Sequence, residues 1–365
     1  MVSQLRTIIT PSTIYRGRLT DSRCPIKDGN GYISTHWNVY LMRMPEEVVM
    51  FNPTATMIHH AIARLQQGYR QLFGNLTPSH TELIGQIATT TLNAIARTDA
   101  LYHDVEHTIL VTLVGQEILR GKQLLEATVS PDDWLHFIVA LLCHDIGYLK
   151  GICRQDCVEE HTYTTGQERI AIAPGATDAS LTPYHVDRGK QFVAENLGHY
   201  RSLDVLAIQQ MIELTRFPIP NDQAHQDTSN FPGLTRAADL IGQLGDSRYL
   251  EKLPALFHEF EEVGTNKSLG YQHPGDLRMG YPRFFQTVVQ PLIQPAIAYL
   301  QVTQQGQQIL NQLYRNVSVV EWELKVMDEQ RDRGSQAIFI RDRYHFFLQE
   351  LETQHTAETS SPNTL

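Results

Sequence analysis

The stretch WLHFIVALLCHDIGYLKG, Trp134 to Gly151, limits the fold more than any other part of the chain. Its first ten residues are apolar on nearly every face, so a helix there has to be buried among other helices. That helix runs into His144 and Asp145 and is stopped by Gly147. A histidine and an aspartate carried into an apolar interior are costly unless they are paired, hydrogen-bonded or bound to a metal. The plain alternative is a hydrogen-bonded core histidine followed by an aspartate that caps the next turn.

The surrounding sequence supplies the other helices. MIHHAIARLQQGYRQLF places Ile58, Ala61, Ile62, Leu65, Tyr69 and Leu72 at three- and four-residue spacings, one apolar stripe. The same period predicts helices over 83–96, 105–125, 134–143, 189–197, 203–214, 234–244, 249–262, 284–305 and 319–351. Residues 151–183 carry Pro174, Gly175 and Pro183 and predict a long, mostly irregular segment, of the kind that covers a site. The expected organisation is an N-terminal arm at 1–55, one helical domain at 56–352 and a polar tail at 353–365. KDGNG followed by YISTHWNVYLMRM gives the arm a hairpin-like or irregular character.

Composition narrows the functional classes. A net charge of −10 argues against a nucleic-acid polymer as partner, because phosphate contacts need clustered Lys and Arg. It does not forbid a small phosphate ester, since a bound cation reverses the local field. No apolar run approaches the roughly 20 residues that span a bilayer, so no membrane is expected as partner. Four cysteines do not form a disulfide framework, and MVSQLRTIITPS is a weak leader, so a cytoplasmic setting is expected.

The sixteen histidines direct attention to LYHDVEHTIL, Leu101 to Leu110, where His103 and His107 stand four apart. On a helix that spacing puts both rings on one face. His107, His144 and Asp145 would offer two imidazoles and a carboxylate, a set that suits a divalent ion with open water positions. A second carboxylate is available at Asp239, in LTRAADLIGQL, among small and apolar residues. Asp239 is otherwise a solvated helix residue, and His103 a surface histidine paired with Asp104 or Glu106.

This order of motifs resembles the HD-domain metal-dependent phosphohydrolase superfamily. YHDVEHTILV is similar to the signature YHNxxHAxxV of its cyclic-nucleotide phosphodiesterase branch. PYHVDRGKQFV resembles HHxxxGxxLL, AADLIGQ resembles CADLSNP, and FFQTVVQPLI resembles FIDYIVHPLW. The matches run in the family's order from about residue 57 to 305. The resemblance implies an all-α, multi-helix HD/phosphodiesterase-like bundle with a metal site at its centre.

It also implies roles. His107, His144, Asp145 and Asp239 match the ligands of the first metal, with Asp145 bridging to a second. His103 matches the histidine that protonates the leaving ester oxygen. His185 matches a histidine near the second metal and is otherwise an ordinary loop histidine near Asp187. One or two divalent metals (Mg, Mn, Zn or Fe) and a small phosphorylated substrate, a cyclic or other nucleotide, are the cofactor and partner implied. An HD-type nucleotidase or phosphomonoesterase, an oxygen-activating di-iron protein and a ligand-sensing protein that keeps the site without turnover are the rival expectations.

The sequence departs from the pattern at three places. Asp104 replaces the Asn that follows the first histidine. HDIGYLKG replaces HDxDHPG, which puts Tyr148 where the family has a further histidine. Phe284 aligns with the aromatic ring that holds a purine, although it suits a core position as well. Tyr281 falls where a base-binding glutamine belongs, and one hydroxyl does not reproduce an amide's paired donor and acceptor.

Overall fold

The computed structural model describes residues 52–332, with side chains to residue 329. The predicted arm lies outside the described residues up to residue 51, and so does the predicted tail. The helical domain starts three residues earlier than expected, with α1 at Pro53–Phe73, capped by Asn52 and followed by Gly74 at positive φ.

Helices α2 (Pro78–Ile95), α3 (Val105–Glu126), α4 (Pro131–Cys143), α5 (His185–Leu197), α6 (Val205–Glu213), α7 (Phe231–Leu244) and α8 (Tyr249–Glu262) follow. The remaining helices are α9 (Thr265–Leu269), α10 (Pro274–Phe284), α11 (Gln290–Gln301) and α12 (Gln304–Asp332). The protein is therefore the all-α bundle expected, with one small antiparallel pair, β1 (Thr162–Thr164) and β2 (Arg169–Ala171).

Helix α4 is the centre. A capping box starts it: the Ser130 side chain accepts from the Asp133 amide at 3.1 Å, and the Asp133 carboxylate accepts from the Ser130 amide at 2.9 Å. Leu135 and every residue from Phe137 to Cys143 have no accessible surface, because α1, α2, α3, α6 and α7 all pack around them. Burial of each such Leu, Ile or Phe contributes about 1.5–3 kcal/mol. After Cys143 the chain turns through a short 3-10 turn at Ile146–Tyr148.

Two departures from the expected helices have local causes. The helix expected over 284–305 is divided. A π-helical turn at Phe285–Val289 joins α10 to α11, and α11 ends at Gln301. Pro291, at the start of α11, lacks the amide that would continue the α-helical ladder. Helices α9 and α10 were not expected, since LGYQHPGDLRMGYPRF is rich in Gly and Pro; His273 and Asp276 form the capping box that starts α10.

Residues 151–183 are mostly irregular, as predicted, and carry the short β1–β2 pair and a 3-10 helix at Asp178–Tyr184. Arg188 on α5 fastens this segment. All five of its side-chain hydrogen bonds are buried or nearly so: Nε to the Gly147 carbonyl, Nη1 to Asp156 and the Thr164 carbonyl, Nη2 to Asp156 and the Leu149 carbonyl, all at 2.7–3.0 Å. At its other end the Asp178 amide donates to Asp99 at 2.6 Å and the Thr177 amide to Glu262 on α8 at 2.6 Å.

Candidate metal centre

Four helices and one turn deliver the polar residues to the middle of the bundle. Asp104 is the N-cap of α3, and its carboxylate accepts from the His107 amide at 2.9 Å. That cap fixes His107 in the first turn. It also places His103 before the helix, so the two histidines do not share a helical face as their spacing predicted. Their rings still meet edge-on at 5.5 Å, because the chain bends at Leu101–Asp104.

Asp239 comes from α7, which lies against α3. The approach is close enough that a Cβ on Gly242 would sit 2.6 Å from Val111 Cα, one turn beyond the two ligand candidates. His144 and Asp145 come from the end of α4 and His185 from the first turn of α5, rather than from a loop. A Cβ on Gly147 would lie 1.9 Å from the His185 carbonyl oxygen and 2.7 Å from the Gly189 nitrogen, all backbone atoms. Glycine at 147 is thus the condition for His185 to reach Asp145. Gly147→Ala should cost at least ~1–3 kcal/mol of stability in urea denaturation, the usual range for overpacking. A variant as stable as the parent would show that the two segments do not need this contact.

The four expected ligands converge. His107 Nε2 and His144 Nε2 each lie 3.1 Å from Asp145 Oδ2, and 3.6 and 3.7 Å from Asp239 Oδ1. The ligand atoms of His107, His144 and Asp239 fall within 4.8 Å of one another, close enough to hold a metal ion. The His144 ring is fixed by its Nδ1, which donates to the Leu141 carbonyl at 2.7 Å. Its Nε2 and Asp145 Oδ2 are buried and make no hydrogen bond. Buried polar atoms are nearly always satisfied, so two orphans facing each other fit a cation between them.

Electrostatics agree. Burial alone would lower the pKa of His144, yet Asp145 and Asp239 raise it to about 9. Burial would raise Asp145, yet His144 and His107 hold it well below the carboxylate range. Burial pushes Asp239 up. The two carboxylates thus favour positive charge at the centre of the cluster.

His103 differs from these four. Its Nδ1 donates to Glu259 Oε2 on α8 at 2.5 Å, and the backbone amides of Tyr102 and His103 donate to Glu259 Oε1 at 2.6 and 3.2 Å. Its partner is thus Glu259, neither Asp104 nor Glu106: Asp104 is used as the cap, and Glu106 pairs with Arg248 and Lys252. Burial would lower its pKa, but Glu259, Asp145 and Asp239 raise it to about 9.

His103, His107 and Asp145 also have ligand atoms within 4.8 Å of one another. A carboxylate behind an imidazole serves both a metal ligand and a proton carrier, since it orients the ring and raises its basicity. Two observations favour the proton carrier. His107, His144 and Asp239 form a group without His103, and Nδ1 of His103 is already held by the Glu259 carboxylate at 2.5 Å.

The open side of the cluster is marked by exposure. The side chains of Asp239, His103 and His185 are 18, 16 and 12% exposed, against 4% for His107 and 1% for His144. His185 Nε2 stands 3.9 Å from Asp145 Oδ1, the carboxylate oxygen turned away from His107 and His144, and its Nδ1 donates to the Thr182 carbonyl at 2.6 Å. Burial lowers its pKa to about 4, so the ring is neutral at physiological pH.

The residues read as a base pocket stand apart from this cluster's contacts. Tyr281 is 2% exposed, packs on Tyr249 at 5.1 Å and leaves its hydroxyl without a hydrogen bond. Phe284 is half-buried and meets the exposed Phe217 edge-on at 6.1 Å. Glu259 was missed by the sequence reading. Its signal is its place on α8: Leu253, Leu256 and Glu259 follow each other at three-residue spacing, so an acid occupies the apolar face.

Fold and cluster together define an all-α protein with a buried histidine–aspartate centre positioned to hold a metal ion. The family described as Npun_R2479-like matches residues 51–323, well over half of the chain, and the protein belongs to that family. No curated protein matches it. No helix among the described residues is long and apolar enough to cross a membrane.

Proposed function

We propose that this protein is a metal-dependent phosphohydrolase of the HD type, acting on a small phosphate ester of the nucleotide class. The observation that carries the reading is the separation of two tasks within one cluster. His144 and Asp145 leave buried, unpartnered atoms facing each other beside His107 and Asp239, and a fifth side chain, His103, is held next to them by its own carboxylate.

A divalent ion held by His107, His144, Asp145 and Asp239 would lower the pKa of a water and neutralise phosphoryl oxygens. The chain itself does the rest. Asp239, His103 and His185 border the accessible side, where an ester would enter. Water oxygen forms the new bond to phosphorus as the P–O ester bond breaks, and His103 Nε2 gives its proton to the departing oxygen. Glu259 keeps the imidazolium in register and compensates its charge. A cation bound beside it would lower the His103 pKa from about 9 toward neutrality, where an imidazole gives and regains a proton most readily. Magnesium, manganese, zinc and iron all accept this mixed nitrogen–oxygen set.

The test is a panel of cyclic and linear nucleotides and bis-p-nitrophenyl phosphate, offered to protein loaded with each of these metals. Release of phosphate, nucleotide or p-nitrophenol dependent on metal is the expected result. Stoichiometric metal without turnover of any ester would replace this reading with that of a ligand-binding protein.

A further inference from the structure

Two histidines on the accessible side of the cluster, His103 and His185, are held by different helices, and the 3-10 helix Asp178–Tyr184 joins those holds. At its C-terminal end the Thr182 carbonyl accepts from His185 Nδ1 at 2.6 Å. At its start Glu262 of α8 accepts from the Thr177 amide at 2.6 Å and from the Thr177 hydroxyl. Glu259, one turn earlier on α8, is the carboxylate that holds His103 Nδ1. Between the two imidazoles lies the buried ring of Tyr148, 4.5 Å from each. The turn that carries Tyr148 packs against the same 3-10 helix.

The fastenings of this segment are unequal. Arg188, with no accessible surface, pins residues 149–164 through buried hydrogen bonds. The buried Asp178 accepts from the Lys150 amide at 3.2 Å and the Thr98 hydroxyl at 2.9 Å. Glu262, by contrast, is exposed, so water competes for both of its bonds to Thr177. We propose that Asp178–Tyr184 is a strap across the mouth of the metal centre, with Glu262 as its latch, and that lifting the strap admits and releases the ion. The closed mouth is narrow: His107 and His144 are buried, and even Asp239, His103 and His185 are mostly so. The walls formed by α3, α4 and α7 pack through the apolar core, whereas the strap is latched at the surface, so it is the wall that opens most readily. Lifting it takes the Thr182 carbonyl from His185 and uncovers Tyr148, while Glu259 stays bonded to His103. Glu262 is thus a positioning residue that acts on His185 through Thr182. This inference rests on the cluster holding a metal, as in the phosphohydrolase reading, and on no step of the hydrolysis.

Glu262→Ala removes both bonds to Thr177 from a surface position. Glu262→Gln can keep them, since its amide oxygen accepts from the Thr177 amide and its NH2 donates to the hydroxyl. Zinc release to a chromogenic chelator and zinc uptake by the metal-free protein are timed for the parent and both variants. In Glu262→Ala the two rates should rise together by ~5–30-fold, the worth of two exposed hydrogen bonds, with affinity within about twofold of the parent. Glu262→Gln should stay near the parent. Backbone hydrogen exchange in Glu262→Ala should quicken over residues 177–184 and stay unchanged over 149–164, which Arg188 holds. Unchanged zinc rates, faster release without faster uptake, or an equal rise in Glu262→Gln overturns the proposal. Quickened exchange over 149–164 as well overturns it too, because the opening is then not confined to the strap. A parent that takes up no zinc overturns both the metal centre and the strap. Zinc rates that change as expected in a protein that hydrolyses no ester uphold the strap and end the phosphohydrolase reading alone.

Discussion

His107→Ala protein should be purified without stoichiometric divalent metal and should hydrolyse no phosphate ester, while keeping the helical content of the parent. His107 Nε2 faces both carboxylates, at 3.1 Å from Asp145 and 3.6 Å from Asp239, so its loss leaves two acids and one imidazole. Three remaining groups of opposite charge can settle as a proton-sharing cluster, which competes with any cation. The same competition gives the parent a pH dependence. His144 carries a proton below about 9 in the absence of metal, and binding has to expel it. Metal affinity should therefore rise with pH through the neutral range and level off above about 9. Calorimetric titration with zinc in buffers of different ionisation enthalpy measures both the affinity and the proton released. Full metal content in His107→Ala, or affinity independent of pH, would remove these residues as the ligand set.

The central helix was legible because its residues admit no other place. A run from Trp134 to Cys143 with almost no polar side chain has to be interior, and that carries His144 and Asp145 inside with it. His107 and Asp239 were legible for a related reason, as polar residues among small and apolar neighbours on helices that had to face the core. Spacing alone misled at His103. Four residues from His107 suggested a shared face, but the Asp104 carboxylate accepts the His107 amide and starts the helix one residue after itself. Local chain chemistry at one cap overrode the period.

The partner of His103 was hidden because Glu259 lies 156 positions along the chain, in HEFEE, where acids read as solvated. Its burial depends on how α8 rotates against the loop before α3, which no local pattern states. Tyr148 could be seen to replace a histidine, yet its clamping between His103 and His185 follows from the backbone contact at Gly147, a property of two segments together. The division of the helix at Phe285–Val289 was foreshadowed by Pro291 and Pro295 within the apolar period.

His103→Ala should give the opposite pattern from His107→Ala: metal retained, turnover lost. His103 is held by Glu259 at its Nδ1 rather than by the four converging groups, so its removal leaves those groups in place. Loss of a positioned general acid slows hydrolysis ~10²–10⁴-fold for an ester with a poorly leaving alkoxide. For p-nitrophenolate, which departs as a stable anion, the loss should be smaller. Glu259→Gln supplies a graded control. It keeps an acceptor oxygen near Nδ1 but removes the charge that helps to raise the His103 pKa to about 9. The sign follows from that: the folded pKa falls, the protonated fraction declines at a lower pH, and the alkaline limb of the rate profile should shift downward. Measuring kcat against pH for both variants, with metal content assayed on the same samples, separates the roles. Metal lost from His103→Ala makes His103 a ligand. An unchanged rate for the poor leaving group moves the proton donor elsewhere, and the position of His185 beside Asp145, on the same accessible side, makes it the next residue to replace.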